Sequence, residues 1–231
     1  MADAETKRML RKRVTDILRS PPIKKIDFRL RQWHIDPNSF WKVADAIELE
    51  IVDVDSGGVI AGALAQYHYD NDTIRFPDAS FGTNPFGRAV IVHECVHAYI
   101  DSFADGRINV SANEAAAWVA YGLYLLNSGS SIPTPKSPDP SKPTPDEVTL
   151  RIANNIMNMP GATVTTTDEH DLRTAIVNHP VFVKRGINVD TQRDTDGWNR
   201  EYSVRIASKV LPRGFGLTPA ERLFRPARQW R

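Results

Sequence analysis

The sequence predicts an α+β protein in which a small antiparallel or mixed sheet packs on a buried helix and a second helix, followed by a mostly helical C-terminal part. Three observations lead to this fold class. Residues 47–54 (IELEIVDV) alternate between apolar and polar side chains, as a half-buried strand does. Residues 88–104 (RAVIVHECVHAYIDSFA) are apolar almost all round, as expected of a buried helix. Residues 146–159 and 168–178 have helical patterns.

The composition excludes several classes of protein. A chain of 231 residues suits one large domain or two small ones, and its single cysteine excludes both an internal disulfide and a cysteine-rich zinc module. No apolar run reaches the roughly 18–20 residues needed to span a bilayer, and the N-terminus lacks the apolar core of a Sec signal peptide. We therefore expect a soluble protein that is cytoplasmic, or delivered or secreted without a Sec signal peptide.

The charge is distributed unevenly along the chain. Residues 1–31 hold ten basic and four acidic side chains, and residues 200–231 hold eight basic and two acidic ones, so each end carries +6. Because the whole chain carries +1, residues 32–199 carry −11. Such basic ends are typical either of solvated faces or of segments that dock on a partner protein. No nucleic-acid recognition motif accompanies them, which argues against a nucleic-acid partner.

The first 46 residues are predicted to form a basic, helical N-terminal segment. Apolar side chains recur at helical spacing over residues 4–19, and Ser20-Pro21-Pro22 ends that helix. Residues 23–34 partly alternate and predict a strand. A short helix is expected over residues 40–47.

Residues 47–127 are predicted to form the core domain. The strand at 47–54 is followed by a turn at Ser56-Gly57-Gly58, a segment over 59–69 and a short strand over 73–76, which together read most simply as a meander. The buried helix begins near Arg88. A second helix covers 114–126 and ends at Asn127-Ser128-Gly129.

Residues 128–146 contain six of the sixteen prolines and read as a linker or protruding loop. Residues 147–231 are predicted to be a helical C-terminal subdomain with a basic tail. Within it, residues 201–211 fit either a helix or a strand, and arginines occupy every third position from Arg222 to Arg231.

The sequence His93-Glu94-Cys95-Val96-His97 matches the pattern H-E-x-x-H. On a helix, His93 and His97 lie one turn apart and face the same way, while Glu94 lies about 100° round from His93. This arrangement supplies two zinc ligands and a general base. The alternative is that both histidines merely hydrogen-bond to neighbours, but burying them in an apolar helix without a partner is costly. Cys95 lies about 200° round from His93, which favours a core residue over a thiolate ligand or a latency switch.

Catalytic zinc usually takes three protein ligands, so a third should exist. A histidine six residues after the second His is one known solution, but Phe103 occupies that position. Glu114 lies seventeen residues after His97 and precedes Ala115-Ala116-Ala117, whose small side chains allow two helices to approach closely. The alternative for Glu114 is an ordinary carboxylate at a helix N-terminus.

HECVH followed by NEAAA resembles the zincin metallopeptidases, specifically the gluzincin branch, over residues 47–126. Upstream, AGALAQYHYDNDTIRFP resembles the zincin edge strand and its neighbour, which line the cleft. The resemblance implies a zincin-like fold and one Zn²⁺ per chain, held by His93, His97 and Glu114. It also implies that Glu94 is the general base that acts on a metal-activated water.

The resemblance leaves several roles open. Thermolysin-like enzymes have an Asp four residues after the ligand Glu, and Trp118 stands there, so Asp101 is either the substitute partner of a metal-bound His or a surface carboxylate. The candidate donors to the tetrahedral oxyanion are His170, which we prefer, and two others, His179 and Tyr202. Backbone groups of residues 61–69 are expected to pair with an extended substrate, with Tyr67 and Tyr69 lining the cleft or packing.

The sequence therefore predicts a zinc-dependent metallopeptidase that hydrolyses a protein or peptide substrate, in a compact form that resembles bacterial or phage-type members and suits a toxin or effector. The alternative functions are a non-catalytic, metal-stabilised binding module and a nucleic-acid or partner-docking protein. Glu94 favours the peptidase, since a module without catalysis needs no base between its ligands. The acidic centre favours a cation and basic substrates.

Overall fold

The computed structural model describes residues 3–60, 62–104, 106–132, 137, 139, 142–195 and 197–210, and of these the side chains of residue 200 and residues 207–210 are not described. Its helices are α1 (Ala4–Leu18), α2 (Pro37–Glu48), α3 (Pro85–Asp101), α4 (Val110–Asn127), α5 (Pro145–Ile156), α6 (Thr166–Asn178), α7 (Pro180–Lys184) and α8 (Asn199–Val210). Its strands are β1 (Phe28–Leu30), β2 (Trp33–Ile35), β3 (Asp53–Ser56), β4 (Gln66–His68), β5 (Thr73–Phe76), β6 (Gly106–Asn109), β7 (Ala162–Thr163) and β8 (Gln192–Thr195).

The predicted α+β class is confirmed, with helices over about 53% of the described residues and small mixed sheets. The sheets have the strand orders β2-β1-β7, β3-β5-β4 and β6-β8. One cluster of buried apolar side chains runs from Leu10 to Trp198, so the N-terminal, central and C-terminal parts share a core. Among the described residues, no helix has the length and apolar character needed to cross a membrane.

The strand predicted over 47–54 is wrong for most of its length, because α2 extends through Glu48. Asp36 and Ser39 form a capping box with Pro37 in the first turn, which starts the helix early. Phe40, Val43 and Ile47 are then spaced to be buried on one helical face. This helical spacing overrides the alternation, and only Asp53–Ser56 remain a strand.

The predicted meander is also wrong. A meander pairs each strand with the next in antiparallel order, but β3 pairs in parallel with β5, and Val54 lies opposite Ile74. β4 pairs with the other side of β5 in antiparallel order. The loop after β3 therefore crosses the sheet, and β4 becomes an edge strand beside α3.

The N-terminal helix agrees with its prediction, and Asp3 caps it. Its cations are paired with carboxylates of the acidic centre. Lys7 lies 2.8 Å from Asp53 and 3.3 Å from Asp55, and Arg19 lies 2.8 Å from Asp45. Part of the basic N-terminal charge therefore fastens α1 to α2 and β3.

The two helices that carry the motif both begin earlier than the sequence predicts. The Asn84 side chain caps α3 and Pro85 occupies its first turn, while Asn109 caps α4. The two helices pack closely, and Ala115, Ala116 and Ala117 are fully buried. The predicted role of the small side chains is thus consistent with the observed packing.

Helices form the C-terminal part, as expected. Thr144 and Glu147 form a capping box that starts α5, and residues 201–210, which fit a helix or a strand, are helical within α8. The Trp198 indole donates to the carbonyl of Ala98 in α3 at 2.9 Å. Gly197 has φ +60°, and a Cβ there would meet the carbonyl oxygen of Ala104 at 2.6 Å. Residues 133–136, 138, 140 and 141 of the proline-rich stretch, and the arginines of the basic tail from Arg222 to Arg231, lie outside the described residues.

Gly122 provides a test of the α4–α5 contact. A Cβ at Gly122 would lie 2.6 Å from Thr149 Cγ2 and 3.3 Å from Ala153 Cβ. Overpacking of this kind costs about 1–3 kcal/mol, against a gain in helix propensity of about 1 kcal/mol. We expect Gly122→Ala to lower the free energy of unfolding, measured by urea denaturation. In a Thr149→Ser background, which lacks the clashing methyl group, the loss should be much smaller, whereas equal losses would contradict this packing.

Candidate metal centre

Three predicted ligands converge on one point of the fold. His93 Nε2 lies 3.2 Å from His97 Nε2 and 3.3 Å from Glu114 Oε2. His97 Nε2 lies 3.6 Å from the same oxygen. Ligands held about 2.0–2.1 Å from zinc in a tetrahedron are separated by about 3.3 Å. The three atoms are therefore close enough to share one metal ion, and they form a group able to hold a metal.

The helices position these ligands. His93 and His97 lie one turn apart on α3, and Glu114 comes from the first half of α4. The His97 side chain is 7% exposed, whereas those of His93 and Glu114 are 14% and 19% exposed. The site is thus supported from behind by the core and open on one side.

His97 is oriented by a chain of hydrogen bonds. Its Nδ1 lies 2.9 Å from Asn113 Oδ1, and Asn113 Nδ2 donates to the Tyr69 hydroxyl at 2.7 Å. Because Asn113 presents an acceptor, the neutral His97 ring carries its proton on Nδ1, which leaves the lone pair of Nε2 for a metal. The sequence placed Asn113 only near a helix start, although it directly precedes Glu114.

Asp101 is fully buried, so the alternative of a surface carboxylate does not hold. It accepts hydrogen bonds from the hydroxyls of Tyr67, at 2.7 Å, and Thr195. The Tyr67 backbone N–H in turn donates to Glu94 Oε2 at 2.7 Å. Asp101 therefore fixes Tyr67 of strand β4, whose backbone N–H in turn fixes Glu94, the predicted base. The residue that contacts His97 is Asn113, not Asp101.

The charges of His97 and Glu114 affect each other's pKa. Burial by itself lowers the pKa of His97, but the Glu114 carboxylate outweighs it and raises the pKa to about 9. Burial opposes ionisation of Glu114, yet the two imidazoles hold its pKa well below the usual range. The metal-free site therefore favours a proton, a single positive charge, in the place where a divalent cation would sit.

The ligands open into a cleft of about 410 Å³. Its walls come from the loop before β4, from α3 and α4, and from the C-terminal part of the chain. The lining includes Leu64, Tyr67, Tyr69, Phe86, Val90, Glu94, Trp118, Tyr121, Asp146, His179, Phe182, Arg185 and Arg193. This volume is within the range of small-molecule and peptide side-chain pockets.

The remaining predicted residues fall in different places. His179 lines the cleft, whereas the preferred His170 is exposed and lines another surface cavity beside α5. Tyr202 lies on α8 and contacts Asp45 and Trp198. Cys95 is buried, and burial, followed by the charge of Glu94, raises the pKa of its thiol, which disfavours a thiolate ligand.

Sequence reasoning did not identify the aromatic and cationic residues of the cleft. Trp118 and Tyr121 follow Glu114 by one and two helical turns, a spacing that could have placed them on the same face of α4. Arg185 and Arg193 follow in the part of the chain whose pattern is hardest to interpret. No local motif marks them.

Asn113 offers a test of the metal centre. Residues that orient a metal-bound histidine typically contribute 10–100-fold to metal affinity. We expect Asn113→Ala to weaken zinc binding by about that factor, measured by competition with a chromophoric chelator. Asn154→Ala, an exposed position on α5, should leave the affinity unchanged. An unaltered affinity in Asn113→Ala would mean that His97 is not oriented in this way.

The raised pKa of Asp146, which lines the cleft, can be tested through the pH dependence of stability. Burial, with a contribution from the charge of Glu147, raises its pKa from 3.8 to about 6. The folded state therefore binds this proton more readily than the unfolded state, so ionised Asp146 opposes folding above pH 6 and not below pH 3.8. We expect Asp146→Asn to raise the Tm by a few degrees at pH 8 and to change it little at pH 3.5. The exposed control Asp16→Asn should show no such difference between the two pH values. A gain in Tm that is equal at both pH values would contradict the raised pKa of Asp146.

Comparisons with known proteins identified no relative of this chain. No protein-family model, curated protein or solved structure matches the chain. Any assignment of function therefore rests on the residues of the site and on their arrangement.

Proposed function

We propose that the protein is a zinc-dependent metallopeptidase of the gluzincin type, with a zincin-like core, that hydrolyses peptide bonds in a protein or peptide substrate. One observation carries the proposal. Two imidazole nitrogens and one carboxylate oxygen lie 3.2, 3.3 and 3.6 Å from one another, and Glu94 stands beside them in the same cleft.

The donor set and its surroundings favour catalysis over a structural role. Structural zinc sites are closed by four protein ligands, whereas catalytic sites have three and leave a position open. The three ligands here face a cleft that a substrate can enter. Two histidines and one carboxylate also suit zinc better than harder cations such as magnesium.

Bound zinc would supply a Lewis acid that polarises the scissile carbonyl and lowers the pKa of a water molecule. Glu94 would accept a proton from that water and deliver it to the leaving amine. The Tyr67 N–H holds one oxygen of Glu94, which limits the carboxylate to few orientations and leaves its other oxygen for proton transfer. Among the three predicted oxyanion donors, His179 is the one on the cleft wall.

The edge strand has a second consequence for substrate binding. Because the Tyr67 N–H points to Glu94, the carbonyl of Tyr67 also faces away from β5. An extended peptide beside β4 would donate to this carbonyl, in agreement with the expectation that residues 61–69 pair with substrate.

The proposal is tested by two variants with opposite expected results. Glu94→Ala removes the base and leaves the ligands, so it should keep about one zinc per chain and lose cleavage of an unfolded protein such as casein. Glu114→Ala removes a ligand and should lose zinc. Zinc content is measured by elemental analysis after gel filtration, and cleavage by release of labelled peptides.

The wild-type protein is the reference for both variants. A wild type that retains no zinc after loading would overturn the metal site. Full activity in Glu94→Ala would remove Glu94 as the base, and full zinc retention in Glu114→Ala would require another third ligand.

A further inference from the structure

The three ligands divide the cleft into two unlike halves. On the His93 side, the ring of Trp118 lies 5.7 Å from that of His93, and Tyr121 and Phe86 continue the row at ring distances of 5.4 and 6.2 Å. Val90 also lines this half. We call it the aromatic half, because its walls are rings that offer apolar contact area to a substrate side chain.

The His97 side ends in a cation. The ring of Tyr69 lies 6.4 Å from that of His97, and the guanidinium carbon of Arg193 lies 4.7 Å from the centre of the Tyr69 ring. Tyr69 is buried and accepts a hydrogen bond from Asn113, so Arg193 stacks on a fixed surface. Arg185 lines the same cleft. We call this side the arginine half.

Arg185 and Arg193 differ from Arg107 in having no carboxylate partner among the described residues. Within the part of the chain that the structure describes, neither Arg185 nor Arg193 has a carboxylate within ion-pairing distance, whereas Arg107 on the neighbouring strand pairs with Asp194. A guanidinium that stacks on an aromatic ring keeps its N–H edges available, and those edges match the geometry of a carboxylate.

Among the described residues that line the cleft, the one carboxylate outside the metal site and its predicted base lies in the opposite half. This carboxylate, Asp146, interacts electrostatically with Tyr121, in the middle of the aromatic row. A negatively charged substrate group is therefore repelled in the aromatic half and attracted in the arginine half. The two halves thus fix the direction in which a polar substrate enters the cleft.

We propose that the substrate is a peptide segment with a bulky apolar side chain on one side of the hydrolysed bond and a carboxylate on the other. The apolar side chain occupies the aromatic half, against Trp118 and Tyr121, and Arg193 binds the carboxylate. This inference rests on the proposed peptidase function for the reaction, but the binding preference can be measured without it. It differs from the expectation of basic substrates, which the overall charge of residues 32–199 had indicated.

The test uses binding, so that it does not depend on cleavage. The probes are fluorescein-labelled hexapeptides that contain phenylalanine followed by glutamate or by glutamine, and the same pairs in reversed order. Each is titrated with zinc-loaded Glu94→Ala protein, and the affinity is measured by fluorescence anisotropy. In one of the two orders, the glutamate peptide should bind about tenfold more tightly than its glutamine partner.

Arg193→Gln in the same background should reduce that ratio to about one, since the charge-assisted contact is gone. Arg107→Gln, on the paired strand and outside the cleft, should leave the ratio unchanged. Equal weakening of both peptides by Arg193→Gln, or a glutamate preference that survives it, would overturn the proposal. A charge preference that depends on Arg193, in a protein whose wild type cleaves no peptide, would uphold the binding site and refute the peptidase.

Discussion

The close approach of α3 and α4 is the constraint on which the site depends. His93 and His97 lie on α3 and Glu114 lies on α4, so the three side chains meet only because the two helices pack closely. Helix α4 also packs against α5 and α6. The helical C-terminal part therefore supports the helix that carries Glu114.

Groups with no chemistry of their own then fix the orientation of the reactive ones. Asn113 sets the tautomer of His97, and the backbone of Tyr67 holds Glu94. Asp101 holds Tyr67 in turn, which links the sheet edge to the end of the motif helix. Such interlocked polar contacts are stable only when every buried donor has an acceptor. The groups at the base of the site are thus held by hydrogen bonds, and Trp118 and Arg193 line the cleft above them.

The sequence was sufficient wherever a local pattern determined the outcome. His93, His97 and Glu114 could be predicted because helical periodicity and spacing bring them together. The prediction of a strand over 47–54 was wrong because the capping box that begins at Asp36, eleven residues before Ile47, starts a helix that includes Ile47. The sequence favoured His170 over His179 as the oxyanion donor, yet of the two only His179 lines the cleft, since their positions depend on how α6 and α7 meet the rest of the fold. Arg193 was beyond reach for the same reason, because strand β8 is positioned by β6, more than eighty residues earlier.

The indole of Trp198 bonds to a carbonyl of the motif helix one hundred residues earlier. A chain is synthesised from its N-terminus, and contacts of such high sequence separation form late in folding. The end of α3 therefore lacks its hydrogen bond to Trp198 until residue 198 has been made, although both histidines emerge much earlier. A nascent chain would carry the complete H-E-x-x-H sequence before the end of α3 has this hydrogen bond. Under the proposed function, hydrolytic activity would therefore begin only after β8 and Trp198 have been made.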